Sequence, residues 1–259
     1  MKQTTQTLQL TTKQTEILIL LYRFRFLNRK HIQTILNHKN HRRIQSWLNE
    51  LTDQKYIIKY YDHKFASTPS VYTLDQAGRK IVKKNKEVNK EALQRLWRDK
   101  NLSPQFRDHC QLLADIYLSL LSLAESSKLK LFFNTKNEIY GTNHLIKPEP
   151  DAYIVLESEK DIDRFFLDIF DDIAPVAMRK RIKQYFQYFD SDEWQDNTGK
   201  EFPNIILVCP NNRIKSHLFY YIQNKISDDS EINFYLSTWD MIKSKGLNKE
   251  TLEKIKPKD

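Results

Sequence analysis

The sequence predicts an α/β fold, α+β overall, in two domains. The first is a small helical domain that ends in a β-ribbon, and the second has the element order αβββαβαβ. Two observations support this division: the net charge changes sign between the halves, and purely helical apolar spacing gives way to strands that alternate with helices. A length of 259 residues allows two cores, and 40% hydrophobic with 29% charged residues is typical of folded domains.

Composition excludes several classes of protein. Only 4 Gly and 8 Pro exclude collagen-like and most low-complexity chains. The start, MKQTTQTLQL, is unlike a signal peptide, and the longest apolar run, residues 17–22, is too short to span a bilayer. Cys110 and Cys209 stand far apart in apolar segments, which indicates reduced core residues. We therefore expect a cytoplasmic protein that is not embedded in a membrane.

The basic charge is concentrated at the front of the chain. Residues 1–100 contain 21 Lys and Arg against 8 Asp and Glu, a net charge of +13, whereas residues 101–259 have a net charge of −4. A small domain with such a field attracts polyanions, because each neutralised phosphate releases condensed counterions. Double-stranded DNA is therefore the first partner to test, and an anionic membrane surface is the second.

The front of the chain has the element order of a winged helix-turn-helix. Apolar spacing predicts helices from Thr12 to near Asn28, from Asn28 to Asn37 and from His41 to Gln54, and β-rich runs follow at 56–61 and 70–74. The tail VYTLDQAGRKIV resembles the Tyr-x-Leu-Thr-x-x-Gly-Arg ending of winged-helix regulators, with Asp75 as a helix N-cap. We assign residues 1–84 to this domain and 85–103 to a charged helical linker.

Side chains able to read DNA fall on the polar side of the third helix. In the major groove, Arg can donate two hydrogen bonds to guanine, and Gln or Asn can pair with adenine. We therefore predict Arg42, Gln45 and Asn49 as base-reading residues, with Ser46 beside them. An ordinary amphipathic helix without a ligand is the alternative. The predicted phosphate contacts are Arg43, Lys55, His63 and Lys64, the last two at the tip of the wing.

The second domain, residues 104–259, opens with a long helix capped by Ser103 and entered through Pro104. Three strands follow, the first with a possible hairpin continuation to Tyr140. The later elements alternate between helix and strand. The predicted strands are 128–133, 152–156, 164–170, 205–208 and 232–239, and the predicted helices are 175–189 and 215–226.

Two acids in this order resemble the motif of the PD-(D/E)xK restriction-endonuclease-like fold: Pro150-Asp151 and Asp168-Ile169-Phe170. In active members the resemblance implies that the acids hold Mg²⁺ and that a lysine two positions after the second acid activates water. Phe170 occupies that position here. In a nuclease, Arg181 or Lys183 would supply the missing cation and Asp171 or Asp172 a further ligand; otherwise Asp151 and Asp168 are structural.

Four short motifs together resemble the replication-relaxation family of bacterial plasmids and other mobile elements. They are Asp108-His109-Cys110-Gln111-Leu112, Pro150-Asp151-Ala152-Tyr153, Phe166-Leu167-Asp168-Ile169-Phe170, and Arg181 four residues before Tyr185. The third departs from the family pattern Phe-Leu-Glu-x-Asp in both acidic positions. The resemblance implies a DNA-binding protein that acts in plasmid replication, its control, or maintenance of the element.

These observations favour a non-enzymatic DNA-binding regulator of replication or transcription, without a cofactor. A homodimer is expected, because one winged helix makes a small interface and two half-sites multiply affinity. Replication proteins are possible further partners of the second domain. The alternatives are a Mg²⁺-dependent DNA endonuclease that uses Asp151 and Asp168, and a winged helix that binds protein instead of DNA.

Overall fold

The protein divides into two compact units, residues 1–101 and 102–259. A computed structural model describes residues 10–61, 69–171, 173–227 and 230–258. Among these residues, no helix is both long and apolar enough to cross a membrane.

The first unit contains a three-stranded antiparallel sheet in the order β1-β3-β2, with short helices around it. The sequence of helices α1, α2 and α3 followed by the β2–β3 ribbon confirms the predicted winged helix-turn-helix. The elements are α1 (Thr12–Phe24), β1 (Leu27–Asn28), α2 (Arg29–Ile35), α3 (His41–Asp53), β2 (Ile57–Tyr60), β3 (Val71–Leu74), α4 (Gln76–Val82), α5 (Lys90–Arg95) and a 3-10 helix (Leu96–Asn101).

Helix α1 begins with a capping box and ends earlier than its apolar spacing predicts. The Thr11 hydroxyl accepts a hydrogen bond from the Gln14 backbone N–H, and the Gln14 side chain accepts one from the Thr11 N–H. The predicted continuation to near Asn28 is wrong, because Arg25 takes a φ of 65° that ends the helix. The apolar residues that follow Arg25 enter β1, where Leu27 pairs with Tyr72 of β3.

Helix α3 presents its polar side to solvent because its apolar side is fully buried. The Asn40 side chain accepts hydrogen bonds from the backbone N–H groups of Arg42 and Arg43, which fixes the start of the helix. The buried residues Ile44, Trp47, Leu48 and Leu51 recur every three or four positions. This packing confirms the predicted orientation of the helix.

Segment 85–101, most of the predicted linker, lies inside the first compact unit. Val88, Leu93 and Leu96 are buried there, and the Asn89 N–H donates to the Tyr22 hydroxyl at 3.0 Å. The Arg25 guanidinium also donates to the buried Asp99 carboxylate. The many charges around these few apolar positions concealed their role in the core.

The winged-helix ending requires a glycine for steric reasons. A Cβ atom built on Gly78 of α4 would lie 2.2 Å from the backbone oxygen of Tyr56, far inside van der Waals contact. That oxygen also accepts the Asp75 N–H at 2.9 Å, where the chain enters α4. The glycine lets α4 pack directly against the start of the β-ribbon.

The second unit is built on a six-stranded sheet in the order β4-β5-β6-β7-β8-β9. Strands β6, β7 and β8 are parallel, and the remaining pairs are antiparallel. The elements are α6 (Pro104–Ser127), β4 (Lys130–Thr135), α7 (Lys136–Ile139), β5 (Ala152–Glu157), β6 (Ile162–Ile169), α8 (Pro175–Asp190), α9 (Glu193–Thr198), β7 (Asn204–Cys209), α10 (Asn212–Gln223), β8 (Phe234–Thr238), α11 (Trp239–Lys245) and β9 (Glu253–Lys254).

The predicted helices and strands of this unit are present in the predicted order, but α7, α9, α11 and β9 were not predicted. The first strand does not continue as a hairpin to Tyr140, because α7 starts directly after Thr135. The Glu138 carboxylate accepts hydrogen bonds from the N–H and the hydroxyl of Thr135 and so stabilises the turn into this helix. The predicted Ser103 cap of α6 is present, and both Cys110 and Cys209 are free and buried, as predicted.

Candidate nucleic-acid interface and carboxylate site

The exposed side of α3 carries the three predicted base-reading residues, Arg42, Gln45 and Asn49, together with Ser46. Arg42 and Asn49 are exposed, and Gln45 and Ser46 are half-buried beside them. Because they lie three, four or seven positions apart, they share one face of the helix. This face opens into a shallow depression of about 500 Å³. The depression is lined by Arg29, His41, Arg42, Gln45, Ser46, Asn49, Glu50 and Asp53.

Two small hydrogen-bond networks orient these side chains before any ligand binds. The Gln45 amide donates to the Asn49 side chain at 2.9 Å and lies 3.4 Å from the Tyr72 hydroxyl of β3. The Ser46 hydroxyl donates to Glu50 at 2.7 Å, and Gln14 of α1 donates to the other oxygen of that carboxylate at 2.7 Å. The hydroxyl proton of Ser46 is therefore already used within the protein.

The predicted phosphate contacts occupy different places. The Arg43 guanidinium lies 5.2 Å above the centre of the Trp47 ring, whose edge faces His38. Lys55 is exposed in a left-handed turn after α3, about 20 Å along the helix from its first residues. His63 and Lys64 lie outside the described residues.

The sequence prediction missed Arg29 on this face. Arg29 is the first residue of α2, lines the depression, and donates to Gln33 at 3.0 Å. In a helix-turn-helix the first helix of the motif, here α2, crosses the DNA backbone, so its first residue is a natural place for a phosphate contact. The position of Arg29 at the predicted start of α2 was the signal that could have identified it.

Asp168 of β6 is bound by a guanidinium and a phenol. Arg181 donates to the carboxylate through Nε at 2.6 Å and through Nη2 at 3.4 Å, and the Tyr185 hydroxyl donates to it at 2.8 Å. Arg181 and Tyr185 reach the same carboxylate because they lie one turn apart on α8. All three side chains are buried, with 7%, 8% and 0% of Asp168, Arg181 and Tyr185 exposed.

Asp151, the second acid, lies between cationic groups just before β5. One carboxylate oxygen accepts the Ile169 backbone N–H at 2.8 Å and lies 3.4 Å from Nε2 of His109. The other oxygen lies 3.8 Å from the Lys136 ammonium. The second ring nitrogen of His109 lies 2.9 Å from an oxygen of Asp171, so the imidazole bridges two carboxylates. Lys136 belongs to no motif, and no sequence signal indicated its role here.

The ionisation of this cluster follows from its burial and its neighbours. Burial alone would lower the pKa of His109, but the charges and hydrogen bonds of Asp151 and Asp171 outweigh it and raise the pKa to about 10. Burial would raise the pKa of Asp151, yet the His109 charge holds it below its ordinary value. Likewise the Asp168 charge overcomes the desolvation of Arg181 and raises its pKa. At neutral pH, His109 is therefore a buried imidazolium.

The donor set does not fit Mg²⁺. A magnesium site needs carboxylate oxygens that are free to coordinate, and a net negative charge. Here Arg181 and Tyr185 already occupy Asp168, and His109, Lys136 and a backbone N–H surround Asp151. Among the described residues, which exclude Asp172, no group of three or more His, Cys, Asp and Glu side chains is arranged to hold a metal ion.

The groups that would have to activate water are also misplaced. Phe170, at the position of the catalytic lysine, is buried, and its backbone oxygen accepts a hydrogen bond from the Trp239 indole at 3.0 Å. Lys183 is exposed, two residues from the buried Arg181 and so on the other side of α8. Arg181 does contact Asp168, but it is already bound to that carboxylate in a salt bridge.

Comparison with solved structures gives distant matches to both parts of the chain. The transcription regulator MepR of Staphylococcus aureus is 19% identical, with 46% of this chain and 80% of MepR covered, at a TM-score of 0.25. PadR of Bacillus subtilis in complex with operator DNA is also 19% identical, with 44% and 71% covered, at a TM-score of 0.25. Restriction endonuclease FokI is 11% identical, with 92% and 45% covered, at a TM-score of 0.34.

The family comparison is more informative. No curated protein is similar enough to count as a match. The model of the replication-relaxation family, by contrast, matches residues 18–205, which include the helix-turn-helix, both acids and the Arg181–Tyr185 pair. Since this match spans well over half of the sequence, the resemblance is confirmed and the chain belongs to the replication-relaxation family.

Proposed function

We propose that the protein is a non-enzymatic regulator that binds double-stranded DNA and controls replication of a plasmid or other mobile element. The observation that carries the proposal is the exposed face of α3, where Arg42, Gln45 and Asn49 lie together over an open depression. The net charge of +13 in residues 1–100 supplies the attraction to a polyanion. Membership of the replication-relaxation family connects the DNA-binding role to replication.

The base-reading residues have the chemistry that the major groove requires. Arg42 can donate two parallel hydrogen bonds to guanine, and the amides of Gln45 and Asn49 can pair with adenine. The hydrogen bond between Gln45 and Asn49 restricts both side chains in advance, which lowers the entropy lost on binding. The contact of Gln45 with Tyr72 also connects the reading face to the ribbon.

Phosphate contacts would surround this face. Arg29 and Arg43 lie near the start of α2 and α3, and Lys55 lies at the far end of α3. His63 and Lys64, which the sequence predicts as further phosphate contacts, lie outside the described residues. These contacts would fix the register of the protein on the duplex without reading its sequence, and each would add to the salt dependence of binding.

The second unit would act as a dimerisation or partner surface. Its two acids are occupied by the protein's own cations, so we assign it no metal cofactor and no hydrolytic step. In a homodimer, two α3 helices would bind half-sites about one helical turn apart. Replication proteins are the further partners of this unit. Binding near a promoter would repress or activate transcription in the cytoplasm.

Replacing Arg42 with Ala is expected to reduce discrimination between a preferred site and random DNA by at least about fivefold, because one bidentate base contact contributes about 1–3 kcal/mol. The preferred site is first obtained by selection from a random duplex pool. Affinities for both DNAs are then measured by fluorescence anisotropy over a salt series. Gln45→Ala should reduce discrimination at a different base pair.

Arg43→Ala is the matched control, since it removes the same charge from the neighbouring position of α3. It should weaken binding to both DNAs equally and lower the salt slope by about one. Equal losses on both DNAs for Arg42→Ala would remove Arg42 from base reading.

A further inference from the structure

A cleft opens at the edge of the second unit's sheet where two parallel strands end. Strands β6 and β7 lie side by side, with Ile169 opposite Val208, and both continue into loops that lead to helices α8 and α10. Loops that follow a rigid sheet are a common location for binding residues. The cleft has a volume of about 390 Å³ and is lined by Ile173, Pro175, Asn211, Arg213, Ile214 and His217.

The cleft carries two guanidinium groups that no carboxylate of the described residues neutralises. Arg213 is exposed and makes no hydrogen bond or ion pair within the described part of the chain. Arg179 of α8 reaches the same place, where its Nη1 lies 2.7 Å from Nε2 of His217. A guanidinium can only donate, so His217 accepts this hydrogen bond through Nε2. The partner of Arg179 is thus an imidazole and not a carboxylate.

Two neighbouring cations in this unit do have a carboxylate partner. Lys215, also on α10, forms a 2.6 Å salt bridge with Glu253, and Arg181 of α8 is bound to Asp168. Asp171, the described carboxylate that precedes the cleft on the chain, is bound to His109. Unlike these two cations, Arg179 and Arg213 have no carboxylate partner among the described residues.

We propose that this cleft binds the phosphate group of a nucleotide, held by Arg179 and Arg213. Guanidinium groups match phosphate oxygens with paired, charge-assisted hydrogen bonds. The side chains of Ile173, Pro175 and Ile214 give the cleft an apolar wall suited to a sugar or base. Its volume lies at the lower end of the range for small-ligand sites. The nucleotide is either free or a terminal unit of DNA, and the site is independent of α3.

Binding of a fluorescent ATP derivative to the full-length protein tests the proposal. Arg42→Ala and Gln45→Ala are included in every sample, so that α3 does not contribute and failure here stays separate from failure of the DNA-reading role. Arg179→Gln with Arg213→Gln should weaken binding at least about tenfold, because each change removes a charge-assisted hydrogen bond to phosphate. Lys215→Gln is the matched control and should leave affinity within about twofold.

Competition distinguishes the two sources of phosphate. Displacement by unlabelled ATP alone assigns the cleft to a free nucleotide, whereas displacement by a 5′-phosphorylated oligothymidylate, but not by its unphosphorylated form, assigns it to a DNA end. Either result supports the site. The proposal is overturned if the unaltered cleft binds neither probe at millimolar concentration, or if Lys215→Gln weakens binding as much as the double change.

Discussion

Replacing Arg181 with Ala is expected to lower the free energy of unfolding by about 3–5 kcal/mol. Among the described residues, the substitution would leave the buried Asp168 carboxylate with the Tyr185 hydroxyl as its one side-chain partner. Removing one member of a buried ion pair costs this much because the remaining charge keeps its desolvation penalty. Urea unfolding followed by circular dichroism measures the change in stability.

Two further variants on the same helix serve as controls for Arg181→Ala. Lys183→Ala removes an exposed cation two residues away and should change stability by no more than about 0.5 kcal/mol. Arg181→Lys keeps the charge but loses the forked geometry that binds Asp168 through two nitrogens. Its free energy of unfolding should therefore lie between those of Arg181→Ala and Lys183→Ala. Similar stabilities for Arg181→Ala and Lys183→Ala would show that the buried pair does not hold the domain together.

Raising the pH is expected to remove the stabilisation that His109 provides. Its pKa is raised to about 10 in the folded protein, against about 6.5 for an unfolded histidine. A raised pKa means that the stabilisation is fully present below pH 6.5 and is lost as pH rises towards 10. By linkage the loss is on the order of 3–5 kcal/mol.

The comparison with His109→Gln isolates this effect from other titrating groups. Unfolding free energies of the two proteins are measured between about pH 6 and pH 10, and their difference is plotted against pH. The difference should be largest at the acidic end and shrink towards pH 10. A constant difference over the whole range would mean that folding does not raise the pKa of His109.

Much of the fold could be predicted because its signals are local. The apolar spacing of α3 and the cap of α6 each depend on residues within a few positions of one another. The errors occurred where a backbone or tertiary feature overrides spacing. Arg25 takes a left-handed φ inside an apolar run, and the Thr135–Glu138 capping box turns the chain into a helix. Segment 85–101 is mostly polar in sequence, and only the tertiary structure shows that its few apolar residues are buried in a core.

The candidate sites also divide into a part that could be predicted from sequence and a part that could not. The reading face of α3 follows from helix periodicity, so Arg42, Gln45 and Asn49 were predictable as a group. The state of Asp151 was not, because His109 and Lys136, which neutralise it, are distant in sequence. Sequence motifs locate two acids, but only the tertiary structure shows that the chain's own cations occupy the place of a metal.

A gel titration of the purified protein against supercoiled and linear DNA tests the central claim most directly. Each DNA is incubated with EDTA, Mg²⁺ or Mn²⁺ at salt concentrations from about 50 to 200 mM. A DNA-binding regulator without nuclease activity should shift both forms intact under all three conditions, with affinity that falls steeply as salt increases. Metal-dependent nicking that Asp151→Ala and Asp168→Ala abolish would contradict this account and make the second unit an endonuclease.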